Sequence, residues 1–241
     1  QLRRDALEKM KEACLKQEPL VEKEYSYIPQ KSKTSFDLFE INSMNQKVDD
    51  SSCYVSEMFN SNQILEKSNI TSVDGFVNAH LGKGKIVDSL NVSNSYSVAA
   101  ILEMGYESCV ISDECDKYQV EEIMKGFSNR YHFDAPVYKT LYQKRRLMTM
   151  KHCPVNTALK DGKRMNCGLC HHHRYELEGL DGKRVFLFGD KDCHMRLYDV
   201  NIMNEIENRK DYESYGIKHF RFVFTDENQE EVKTAFRAYN R

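Results

Sequence analysis

The alternation of short apolar runs with amphipathic stretches across residues 86–240 constrains this chain most. Ile86-Val87-Asp88-Ser89-Leu90 reads as a strand. Ser93 or Asn94 can cap a helix carrying Val98, Ile101, Leu102 and Met104, which Gly105 ends. Cys109-Val110-Ile111 is the next strand, and Asp113 or Asp116 opens a helix through Val120, Ile123, Met124 and Phe127. Strands follow at Val137–Tyr142, Arg184–Phe188 and Phe220–Phe224. A helix is expected over 199–210, with Val200, Met203 and Ile206 on one face. The last helix is expected to start near Asp226 and to carry Val232 and Phe236. Strands alternating with helices of this length build parallel βαβ units, so the expected class is α/β. The units present suffice for about half of a (β/α)8 barrel. The expectation is a partial or degenerate TIM-barrel-like fold, with an irregular, basic, cysteine-rich insertion over 143–182.

The first third is less regular. Leu2, Ala6, Met10 and Ala13 recur at helical steps, which predicts an amphipathic helix over 1–17. Residues 18–34 are polar, hold Pro19 and Pro29, and read as a connector. Strands are expected at 36–41, 53–58 and 76–80. Residues 59–75 read as loop with a short helix, and 82–85 as a turn. The chain therefore divides into 1–34, the end of a preceding domain, and 35–241, a barrel-like domain.

Composition narrows the function classes. The 241 residues hold 11 Gly and 4 Pro, too few for a collagen-like or flexible-linker chain. There is no P-loop, Gly-x-Gly-x-x-Gly, His-Glu-x-x-His or Gly-x-Ser-x-Gly pattern. The net charge of −2 gives no global field toward nucleic acid. No apolar run approaches the ~18 residues of a membrane span. The N-terminus shows no apolar signal region and no initiator Met, so a cytoplasmic protein cut from a longer chain is expected.

The 8 cysteines carry the strongest chemical signal. Cys14, Cys53, Cys109 and Cys115 are scattered, and Cys53 and Cys109 sit in strand-like runs that read as core. Cys153, Cys167, Cys170 and Cys193 are grouped, with Cys167-x2-Cys170 at their centre. A Cys-x2-Cys pair presents two thiolates from one tight turn, and two further cysteines complete four sulfur ligands. Such a set suits tetrahedral zinc or an iron–sulfur cluster. His152, His171, His172, His173 and His194 crowd the same segment, so a Cys₃His zinc site is open too. Three successive imidazoles cannot all turn to one metal, and the run reads better as a polar loop donating to sulfur.

Charge is uneven around these cysteines. From Lys139 to Arg174 there are nine Lys or Arg and one acid, Asp161. Lys144, Arg145, Arg146, Lys151 and Arg174 are the candidate substrate-binding residues, for a phosphate backbone or a dicarboxylate. A solvated loop that balances charge is the competing reading.

Three stretches resemble the collagenase-like U-thirty-two peptidases. The first is Leu90-Asn91-Val92-Ser93-Asn94-Ser95-Tyr96 with Leu102, Gly105 and Ile111-Ser112-Asp113-Glu114. The second is Leu147-Met148-x-Met150-Lys151-His152-Cys153-Pro154, then Cys167-x2-Cys170, then Asp190-x2-Cys193-x3-Leu197-Tyr198, similar to the family's four-cysteine signature. The third runs from Gly216-Ile217 through Arg221-Phe222 to Thr225-Asp226-Glu227. Together they span residues 76–240, and the opening Leu2-Arg3-Arg4-Asp5-Ala6-Leu7 resembles the stretch that precedes the C-terminal region of long members.

The resemblance implies a (β/α)8-type barrel and a 4Fe–4S cluster on Cys153, Cys167, Cys170 and Cys193, with zinc as the alternative. It implies oxygen-independent hydroxylation, on RNA or ubiquinone precursors, with prephenate as an oxygen source for the RNA-modifying members. The implied partners are RNA, a small dicarboxylate such as prephenate, and preceding domains of the same chain. The older peptidase label implies a hydrolase or protease, without agreed catalytic residues. Long members also carry a fuller N-terminal barrel, absent here. The resemblance therefore implies a degenerate copy that scaffolds or binds RNA.

Overall fold

The structure, a computed structural model, describes residues 2–15, 26–31, 37–41, 53–57, 72–74, 86–160, 168–189 and 195–240. Helix α1 (Leu2–Leu15) forms where the heptad-like spacing predicts it, and its Leu7 and Met10 are exposed. The expected strand at 76–80 and turn at 82–85 lie outside the described residues.

Seven strands make one parallel sheet. They are β1 (Asp37–Ile41), β2 (Cys53–Glu57), β3 (Ser72–Asp74), β4 (Ile86–Val92), β5 (Ser108–Ile111), β6 (Val137–Met150) and β10 (His219–Val223). Their order is β2-β1-β10-β6-β5-β4-β3, every pair parallel. Among the described strands, the last thus lies beside the first. β2 and β3 end the path, so the described sheet is open and no closed barrel is formed by the described strands.

Helices join the parallel strands and cover one face. α2 (Ser95–Glu103) is capped by Asn94, whose side chain accepts the Ser97 N–H at 2.8 Å. α3 (Lys117–Tyr131) is capped by Asp116 in a reciprocal box with Gln119. Asn94 and Asp116 are therefore the caps, out of the pairs the sequence offered. Cys109, Ile111, Val120, Phe127, Leu141, Phe220, Phe222 and Phe224 pack into the main core between sheet and helices. Cys109 is fully buried, as the strand pattern predicted, and its thiol is pushed up to about 12 by desolvation.

The opposite face of the sheet is partly polar. Ile86, Val110 and Tyr138 form a small cluster there. Arg221 on β10 donates to Asp88 on β4 at 2.6 Å, both buried. β6 and β5 lie between these strands, so a flat sheet would hold them roughly 14 Å apart. The curl of the sheet draws the pair together.

Three expectations are corrected. Ser72–Asp74, expected as part of a loop with a short helix, is strand β3, held by parallel pairing with β4. The described residues of 143–182 are not irregular. β6 runs on to Met150, followed by α4 (Pro154–Lys160), α5 (Leu169–His172) and β7 (Tyr175–Glu178). The 199–210 helix is replaced by β9 (Met195–Asn204), a 3-10 turn over Ile206–Asn208 and α6 (Arg209–Ser214). β9 lies antiparallel to the extension of β6, and β8 (Arg184–Gly189) pairs with both β7 and β9. The extension of β6 and β9 pair over separations of 45 to 62 residues, from Met150↔Met195 to Tyr142↔Asn204, and local periodicity does not carry that information. The final helix, α7 (Gln229–Tyr239), starts after Asn228 rather than Asp226, because the Asn228 and Glu231 side chains make the capping box.

Candidate metal centre and adjoining ion-pair cluster

The antiparallel arm β7-β8-β9, laid against β6, carries the cysteine segment. Cys153 is the residue before α4. Its Sγ accepts the Asn156 N–H at 3.3 Å, and Pro154 takes the first helical position, where its missing N–H costs nothing. The Cys-Pro step of the sequence is therefore a helix start with sulfur as the capping atom. Gly168 stands between Cys167 and the helix that carries Cys170. Its φ of 72° is a left-handed conformation that glycine adopts without strain.

Cys170 is buried with Val155, Leu187 and Met195 in a satellite core, and Cys153 packs against the same cluster with Met150, Leu169, Tyr175 and Leu197. Gly189 closes β8 against Cys170. A Cβ there would meet the Cys170 Sγ at 2.7 Å and the Met195 Sδ at 2.9 Å. Gly189 and Met195 are also paired across β8 and β9. Cys193 belongs to the five residues that join this pair, and Cys167 is three residues before Cys170. Both lie outside the described residues, as do the side chains of His171, His172 and His194. Thus the two described members of the cysteine set share one small core, and the chain enters and leaves the Cys193 segment beside the Cys170 sulfur. Among the described residues no three His, Cys, Asp or Glu side chains group as a metal site. Of the histidines, His152 is exposed near the Thr157 hydroxyl, and His173 is exposed with its ring edge-on to Tyr175.

The Cys153 sulfur accepts a backbone N–H, and Cys170 is shielded from solvent. Cys115, by contrast, is buried in the main core with its Sγ toward the carbonyl of Val92 at the end of β4, far in sequence from the others, and burial pushes its thiol up. The side chains of Cys14 and Cys53 lie outside the described residues.

The five basic candidates separate in space. Arg145 and Lys151 are exposed and Arg146 is half-buried. Lys144 and Arg174 instead turn to a carboxylate pair that sequence reasoning did not single out, Asp226 and Glu227. Both ion-pair with Asp226, and Lys144 is 3.6 Å from Glu227. Their charges rest on one buried ring, Phe186, at 5.4 Å for Lys144 and 5.0 Å for Arg174. Phe186 is itself stacked on Tyr198 at 5.2 Å. Thr225 donates its backbone N–H to Glu227 at 2.6 Å. Desolvation pushes the Glu227 carboxyl above its ordinary value, with Lys144 pulling the other way. The sequence signal was present: two adjacent acids one residue after the apolar strand Phe220–Phe224, past the C-terminal end of a parallel strand.

No described helix is long and apolar enough to cross a membrane. No protein-family model matches the chain, and no curated protein or solved structure matches it significantly.

Proposed function

We propose that this chain is a metal-binding α/β unit in which Cys153, Cys167, Cys170 and Cys193 hold one iron–sulfur cluster, and that it supports oxygen-independent hydroxylation of RNA. The observation that carries this reading is the shared core of Cys153 and Cys170, with Gly189 and Met195 flanking the Cys170 sulfur at the two ends of the Cys193 segment. Four thiolates fit a cluster or tetrahedral zinc. When bound, a cluster supplies electron transfer or a Lewis-acidic iron, and zinc supplies a cross-link. The protein's own residues bind it, bury it against Val155, Leu187 and Met195, and bring it to the end of β8 and β9.

The same proposal reads the sheet as a degenerate barrel. The circular order in which β10 lies beside β1, and the Asp88–Arg221 contact across the curl, support it. Exposed Arg145 and Lys151 are the residues this reading offers to a phosphate backbone. We read α1 as the end of a preceding domain. The structural zinc module is the second reading, because the donor set serves it equally. A peptidase ranks behind both, since four thiolates on zinc leave no open position for water or substrate.

Anaerobic purification followed by iron, sulfide and zinc analysis tests the reading. Iron and acid-labile sulfide in equal amounts, with a visible chromophore, support the cluster. One zinc per chain without a chromophore supports the module. Neither, with all four cysteines intact, ends both.

A further inference from the structure

The concave face of the sheet buries polar atoms without partners. The Asp88–Arg221 contact crosses this face from β4 to β10 through Asp88 Oδ2, and Asp88 Oδ1 is buried with no hydrogen-bond partner among the described residues. Thr140 on β6 is opposite Arg221 in the parallel register, so both side chains leave the same face. The next partners are Phe222 and Tyr142, because Leu141 is an extra residue on β6. Tyr142 and Phe222 pack in the main core, so Val223 and Gln143, which follow them, face the concave side. Without the bulge, strict alternation from Thr140 would send Tyr142 there and Gln143 to the core. Thr140 is 0% exposed and Gln143 4%, and neither the Thr140 hydroxyl nor the Gln143 amide nitrogen has a partner among the described residues. Ile86, Val110 and Tyr138 are the apolar part of the same face, nearer the N-terminal ends of β4 and β6.

A buried polar atom without a partner carries its full desolvation penalty, so three on one face are not explained by packing. We infer that this concave face is an internal binding site for a small uncharged polyol, held by Asp88, Thr140 and Gln143. Asp88 and Arg221 neutralise each other, so the face offers no net charge to an ion. The Asp88 carboxylate only accepts, the Gln143 amide nitrogen only donates, and the Thr140 hydroxyl does either. A hydroxyl group also does either, so a compound with several hydroxyls satisfies all three. Thr140 and Gln143 are three residues apart, roughly 10 Å along a strand, which a five-carbon polyol with a hydrogen bond at each end spans. None of these residues belongs to the proposed metal centre, and the inference does not rest on it.

Thermal unfolding of the full chain with millimolar xylitol tests the site, with trehalose, too bulky for it, as the control. In the unaltered protein, xylitol at ten times its dissociation constant is expected to raise Tm by about 3–6 °C and to saturate. Thr140→Val and Gln143→Leu are expected to weaken that response at least tenfold. Each also removes a buried unpaired atom, so each is expected to melt above the unaltered protein when no xylitol is present. Thr140→Ser keeps the hydroxyl and is expected to keep the response. No saturable shift with xylitol, an equal shift with trehalose, or a shift that persists in both apolar variants overturns the inference. So does a lower Tm of both apolar variants without xylitol, because it would show that the two polar groups are needed by the fold itself.

Discussion

At the scale of single residues, the buried charges set the sharpest expectations. Lys139 on β6 is 0% exposed and lies in the main core, 3.4 Å from Glu205, which also accepts the Tyr212 hydroxyl at 2.5 Å. Breaking such a pair leaves an uncompensated charge, whereas replacing the charge by an apolar group of similar shape costs little. Glu205→Ala is therefore expected to cost about 3–5 kcal/mol and Lys139→Met much less, read from urea unfolding midpoints. Equal losses would contradict the reading of Lys139 as a buried ion. Glu227 sets a pH expectation. Its folded carboxyl is raised above the ordinary value near 4.5, with desolvation the leading cause. The folded state then holds the proton more tightly than the unfolded chain does. The stabilisation is complete below pH ~4.5 and is lost as pH rises through the folded value. Glu227→Gln removes this slope, and Lys144→Met steepens it. A Glu227→Gln protein whose stability falls between pH 4 and pH 7 as steeply as that of the unaltered protein would contradict the assignment. None of this was legible in the sequence. Lys139 opens the basic window there, and only the fold shows it as a core residue. Lys144 likewise reads as a surface cation until Asp226 and Glu227 fold over it.

At the scale of elements, what the chain declares locally and what it declares at a distance part ways. α2 and α3 were legible because caps and apolar periodicity are local, and Asn94 and Asp116 are caps the sequence offered; α7 was legible from its periodicity, but its cap is Asn228 rather than Asp226. Six of the parallel strands were legible as apolar runs, but β3 (Ser72–Asp74) falls in a stretch that reads as loop with a short helix. β9 was not. Val200, Met203 and Ile206 mimic a helical face, yet Met195, Tyr198 and their neighbours alternate against β8 and β6. The extension of β6 was hidden because Gln143-Lys144-Arg145-Arg146 looks like a charged loop, and its partner lies on β9. The hairpin of β8 and β9 depends on Gly189. Gly189→Ala places a methyl within 3 Å of both the Cys170 and Met195 sulfurs. Overpacking of this kind costs about 1–3 kcal/mol. The expected outcome is a matching loss in unfolding free energy together with weaker metal retention, since the displaced sulfur belongs to the proposed ligand set. Full metal retention in that variant would separate Gly189 from the centre.

At the scale of the whole molecule, two units meet. A curled parallel sheet with helices on one face supplies the frame, and an antiparallel arm packs against Cys153 and Cys170. The arm is joined to the frame along β6 and β9 and again through Arg174, Lys144 and Asp226, so the proposed centre is held against the C-terminal end of β10. The sequence showed the class of fold and the spacing of the four cysteines. It did not show that Cys153 caps a helix or that Cys170 is walled by a glycine, because both follow from tertiary contact. Bound metal contributes its binding energy to folding. The alanine variants of Cys153, Cys167, Cys170 and Cys193 are therefore expected to lose Tm together, while Cys14→Ala and Cys115→Ala do not follow that pattern.

The most direct measurement is the metal content of the anaerobically purified chain beside its single-alanine variants at Cys14, Cys153, Cys167, Cys170 and Cys193. One centre on four cysteines predicts stoichiometric metal in the unaltered protein and in Cys14→Ala, and a large loss in each of the other four. Undiminished metal in any of those four, or none in the unaltered protein, would contradict a shared centre.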